Sequence, residues 1–67
     1  MEDYVIKRVG GGDWGITAQT ERAQNRNPGG FKIGHTLGFK GRDDIPDYVA
    51  AAEAEGLTFA GKELLAE

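Results

Sequence analysis

The chain has 67 residues, no cysteine, eight lysines and arginines against eleven aspartates and glutamates, and a net charge of −3. A chain this short is expected to form one domain, residues 1–67, whose core rarely supplies more than roughly 3–5 kcal/mol of net stability. Disulfides and thiolate metal sites are excluded, no apolar run reaches the roughly 18 residues of a membrane helix, and the opening MEDYVIKRV lacks the pattern of a signal peptide, so a soluble, cytoplasmic protein is expected.

Tyr4–Val9 reads as a first strand, because Val5, Ile6 and Val9 favour extended backbone. Gly10-Gly11-Gly12-Asp13 then predicts a hairpin loop. Trp14–Glu21 alternates as a second strand, with Trp14, Ile16, Ala18 and Thr20 on one face and Gly15, Thr17, Gln19 and Glu21 on the other. Arg22–Gly30 has no apolar period and holds two Asn, a Pro and two Gly, so it reads as a long loop. Phe31–Lys40 is the most regular alternation. Phe31, Ile33, His35, Leu37 and Phe39 share one face, and Lys32, Gly34, Thr36, Gly38 and Lys40 the other.

Asp44 is placed to cap a helix, with Asp47 three residues on and Pro46 tolerated in the first turn. Ile45, Tyr48, Val49 and Ala52 form its apolar stripe, and Gly56 stops it. In Leu57–Glu67 two readings stay open, a short strand at Leu57-Thr58-Phe59 and a helical turn at Lys62–Glu67. The expected fold is therefore α+β: a three-stranded antiparallel β-sheet packed against one α-helix, in the order β-β-β-α, with a short C-terminal strand or helical tail. Trp14, Ile16, Phe31, Ile33, Leu37 and Phe39 are expected to meet Ile45, Val49 and Leu57 in the core.

Catalytic equipment is sparse. The chain has no serine, no cysteine and one histidine, so neither a serine or cysteine triad nor a histidine-rich metal site can be built. Asp43, Asp44 and Asp47 match no calcium-loop spacing, and capping explains two of them. No catalytic residue, metal or cofactor is expected. Gly10–Gly15 fits G-x-G-x-x-G in form, but a dinucleotide site needs a helix straight after the glycines, and strand signals follow here. His35 lies among apolar residues by parity. It reads either as a proton switch or as a partly buried residue with a local hydrogen bond.

Two features remain as candidate binding determinants. Gly34 and Gly38, with Thr36 between them and Gly15 alongside, make a nearly side-chain-free stripe, explained either by sheet curvature or by close approach of a partner. Arg22, Arg26, Lys32, Lys40 and Arg42 form a basic run in a stretch that carries no acid. Residues 1–42 hold seven basic and four acidic side chains, a net +3, while residues 43–67 hold one basic and seven acidic, a net −6. Such segregation marks two binding faces, or one half of the molecule screening the other. Ala50, Ala51 and Ala54 leave the outer helix surface small and acidic, which helix propensity alone explains as well as an interface does.

The tail GLTFAGKEL, Gly56–Leu64, resembles the closing stretch of nif-type leader-peptide domains, over nine residues. The remainder reads as strands where that family is helical, so no function is carried over. The β-β-β-α order is similar to that of the arm-type DNA-binding domains of phage integrases, in architecture alone.

The expectation is a non-enzymatic interaction module, a small regulatory or inhibitor protein of phage or mobile-element type, docking onto a larger macromolecule. A protein partner is expected, a homo-oligomer is left open and no membrane is involved. The binding determinants would be Arg22, Arg26, Lys32, Gly34, Thr36, Gly38, Lys40 and Arg42. The alternative is a small nucleic-acid-binding domain using the basic loop and strand between Arg22 and Arg42. The overall negative charge and the inward parity of the aromatics weigh against it.

Overall fold

The structure, a computed structural model, describes residues 1–26 and 32–66. Strands β1 (Tyr4–Arg8) and β2 (Trp14–Ala18) form a hairpin, followed by helix α1 (Glu21–Arg26), strand β3 (Thr36–Phe39), helix α2 (Ile45–Ala54), strand β4 (Phe59–Ala60) and a closing 3-10 helix over Lys62–Ala66. One sheet and one main helix make an α+β fold, as the sequence predicts. The sheet, however, has four strands in the order β3-β2-β1-β4 and is mixed. β1–β2 and β2–β3 are antiparallel, whereas β4 pairs parallel to β1 through Tyr4↔Phe59 and Val5↔Ala60. The three-stranded antiparallel expectation is corrected accordingly. The extra strand is two residues long and finds its partner more than fifty residues upstream, so no local pattern announces it. Both readings of the tail hold in part: Phe59–Ala60 is strand, and the helical turn follows it.

The β1–β2 hairpin forms where the glycines predict it. Gly11 and Gly12 take positive φ, and the Val9 N–H donates to the Asp13 carbonyl across the loop. α2 also follows its sequence signals. Ile45, Val49 and Ala52 are buried, Tyr48 is half-buried, and Gly56 adopts φ 89° while the Leu57 N–H donates to Ala52 O. One detail is corrected: Asp44 occupies the N-cap position but makes no side-chain capping bond, since its backbone is already helical.

Two elements differ from their sequence reading. The predicted second strand stops at Ala18, and Glu21–Arg26, assigned partly to it and partly to the loop, is helical. Thr20 is the cause. Its hydroxyl accepts from the Ala23 N–H, its carbonyl accepts from the Gln24 N–H, and Ala23 alone anchors the helix in the core. The predicted third strand is also shortened, to Thr36–Phe39. Gly34 takes φ 86°, and the His35 N–H donates to Lys32 O, so Lys32–His35 is a turn with glycine at its left-handed position. Phe31 and residues 27–30 lie outside the described residues, and with them part of the predicted loop and one expected core side chain.

The core lies on one face of the sheet. Tyr4, Ile6, Trp14, Ile16, Ala18 and Phe59 meet Ala23, Ile45, Val49, Ala52 and Leu57 there. Tyr48 joins the layers, its ring edge-on to Tyr4 at 5.8 Å, Phe39 at 5.9 Å and Phe59 at 6.3 Å, while Tyr4 stacks on Phe59 at 4.7 Å. Leu37 and Ile33, which the alternation places inside, are 38% and 49% exposed. Leu37 has the core-side parity, but it sits on the outermost strand, beyond the edge of the packed cluster. Phe39, one pair further along, is only half-buried, and His35 is exposed.

Candidate interaction surface

The eight candidate residues separate into two groups. Arg22 and Arg26 are engaged in ion pairs within the fold. Arg22 leaves α1 to hold Asp3, donating from Nε to Oδ1 at 3.2 Å and from Nη2 to Oδ2, and Nη2 also donates to Gly56 O at 2.8 Å. Asp3 is 3% exposed, and it also accepts from the Thr20 hydroxyl and, at 3.0 Å, from the Thr58 N–H. The Arg22 guanidinium holds the Asp3 carboxyl far below the usual carboxylate range. Burial opposes this, and the bonds from Thr20 and Thr58 add to it. Arg26 pairs with Glu55 at 3.0 Å and lies over the Tyr48 ring at 5.2 Å. Both cations therefore tie α1 to other parts of the fold.

The other six, Lys32, Gly34, Thr36, Gly38, Lys40 and Arg42, fall along one margin of the sheet, on β3 and the turns at its two ends, and all six are exposed. The proposed glycine stripe does not survive intact. Gly34 belongs to the Lys32–His35 turn, and the space beside Gly15 is filled by the Thr36 methyl and Val9. Gly34 and Gly38 both have open space where a Cβ would stand, but of the three stripe glycines only Gly38 combines that space with a φ an ordinary residue adopts. Thr36 sits opposite Thr17, with 2.8 Å between the hydroxyl oxygens.

Backbone polarity along β3 follows from the ladders. Ala18 donates to His35 O and accepts from the Gly34 N–H, whereas the neighbouring Gln19 donates to Asp3 O across β1. Antiparallel pairing alternates, so Ala18, Ile16 and Trp14 bond toward β3, and their partners Leu37 and Phe39 bond back. The N–H and C=O groups of Thr36 and Gly38 therefore point away from the sheet. Among the described residues no strand pairs with them. The opposite edge, β4, is only two residues long and offers no comparable row of groups.

The sequence reading missed the apolar part of this margin, Leu37 and Ile33. Period-two parity assigned both to the core, and parity carries no information about where the helix layer ends. At one end of the sheet the glycine hairpin and Gly41, with Arg8, Arg42 and Trp14, line an open groove of about 560 Å³. Arg8 lies over the Trp14 ring at 5.3 Å. Among the described residues no group of three His, Cys, Asp or Glu is placed to hold a metal ion, and no helix is long and apolar enough to cross a membrane. No family model matches the chain, and no curated protein or solved structure matches it.

Proposed function

We propose that the chain is a non-enzymatic interaction module, a small regulatory or inhibitor protein that docks onto a larger protein through the β3 margin of its sheet. The observation that carries this reading is the coincidence of three features on β3 and the turns at its two ends. Thr36 and Gly38 direct backbone groups outward, Leu37 and Ile33 expose large apolar side chains, and cations flank the strand at both ends. A short domain with a small core spends stability to leave such groups in water, and large exposed apolar side chains grouped on one margin are a usual mark of an interaction surface. The nucleic-acid alternative loses support, because Arg22 and Arg26 are engaged with Asp3 and Glu55 and the core aromatics offer no exposed stacking platform.

Affinity capture on nuclease-treated and untreated host lysate tests the proposal. The bait is the wild-type chain beside a variant carrying both Ile33→Ser and Leu37→Ser, which leaves every buried side chain in place. A protein retained after nuclease treatment and lost with the variant is the expected result. Retention of nucleic acid alone, abolished by nuclease and untouched by the variant, contradicts it.

A further inference from the structure

Resting on the interaction-module reading, we propose that the outer edge of β3 is a strand-addition site for an extended acidic segment of a partner protein, which bonds to the outward groups of Thr36 and Gly38 and covers Leu37. The edge has the features this mode of recognition uses. Four residues are in regular strand conformation, and the alternate pair directs donors and acceptors outward. Gly38 carries no side chain to hinder an incoming backbone, and its Cβ position is open. Natural edge strands are commonly blunted by proline, by an inward-pointing charge or by a covering element, and within Thr36–Phe39 neither proline nor charge occurs.

The sign of the occupant follows from the flanks. Residues 32–42 contain Lys32, Lys40 and Arg42 and no carboxylate, and both lysines are exposed. An incoming strand with acidic residues at its two ends and apolar residues at alternate central positions meets this surface at both levels, charge at the ends and Leu37 between them. A second copy of the chain fits less well. Antiparallel pairing of two β3 strands about Leu37 sets each Thr36 opposite the other chain's Gly38. It also brings each Lys40 beside the turn that carries the other chain's Lys32, so like charges oppose the dimer.

The test uses a synthetic nonapeptide with valine and threonine alternating in the centre and two glutamates at each end. Controls replace the glutamates by lysine, or N-methylate the peptide amides that face the protein. The readout is amide hydrogen exchange and chemical shift of the full chain. The acidic peptide should slow exchange at Thr36 and Gly38 by roughly tenfold or more, and the lysine and N-methyl peptides should bind roughly tenfold more weakly or worse. Gly38→Pro removes one outward N–H without touching the β2 ladder, so it should abolish peptide binding, whereas Gly38→Ala retains that N–H and should bind as wild type. Equal binding of acidic and lysine peptides overturns the proposal, as does protection that maps away from Thr36 and Gly38. Concentration-dependent dimerisation lost in Gly38→Pro assigns the edge to a second copy and also overturns it. A lysate protein captured equally by wild type and Gly38→Pro overturns the edge while leaving the interaction-module reading standing. Capture of nucleic acid alone overturns both.

Discussion

Arg22 and Asp3, nineteen positions apart, form a two-pronged ion pair that fastens the first strand to the start of α1. The same carboxylate accepts from the Thr58 N–H, so one side chain gathers β1, the α1 N-terminus and the approach to β4. Hydrogen bonds to a charged group are worth roughly 1.5–3 kcal/mol, a large fraction of the stability of a domain this small. Asp3→Asn should cost about that much at neutral pH, read as a lowered urea midpoint with an unchanged slope.

The pH dependence follows with a fixed sign. Arg22 lowers the proton affinity of Asp3 in the folded chain, so the unfolded chain binds more protons in acid. The stabilisation is fully present above the ordinary aspartate value of about 3.9 and is lost as pH falls through that value and below. Wild type should therefore lose stability steeply on acidification, and Asp3→Asn should lose less over the same range. Parallel acid limbs for the two chains would separate Asp3 from this role.

Two glycines should respond oppositely to alanine. Gly61 has φ 89°, and a Cβ there would run into the Ile6 carbonyl where β4 leaves β1. Gly61→Ala should cost roughly 1–3 kcal/mol through overlap and backbone strain. Gly38 lies in open space with no positive φ, so Gly38→Ala should be close to neutral. Thermal midpoints of the two variants decide this.

Core truncation should follow burial rather than sequence parity. Ile16 and Ile45 are fully buried, and Ile→Ala at either should cost about 2–5 kcal/mol, enough to unfold much of the population. Leu37, with 38% of its surface exposed, should lose less than half as much on truncation to alanine. A Leu37→Ala chain as unstable as Ile16→Ala would mean that a covering element lies over β3.

Much of the fold was legible because the signals were local. The glycine hairpin needs left-handed residues at Gly11 and Gly12, and the α2 stripe at Ile45, Val49 and Ala52 repeats at helical spacing. Three features were not legible, for separate reasons. The Thr20 cap creates α1 through one hydroxyl and one buried alanine, too little to register as a period. Gly34 breaks the third strand without breaking its alternation, because a turn and a strand can carry the same pattern of residue types. β4 depends on a contact between distant segments. Of the eight residues grouped as binding determinants, six lie along one margin because they are contiguous in sequence with β3. Arg22 and Arg26 were grouped with these six by charge, although Asp3 and Glu55 were to claim them in three dimensions.

The most direct test of the central claim is backbone amide exchange of the full chain, free and bound to its nuclease-resistant partner from lysate. Docking through the β3 margin predicts that new protection concentrates at Thr36 and Gly38, whose N–H groups face outward in the free chain, while α2 exchanges as before. New protection confined to the outer surface of α2 or to the glycine hairpin, with Thr36 and Gly38 unchanged, would contradict it.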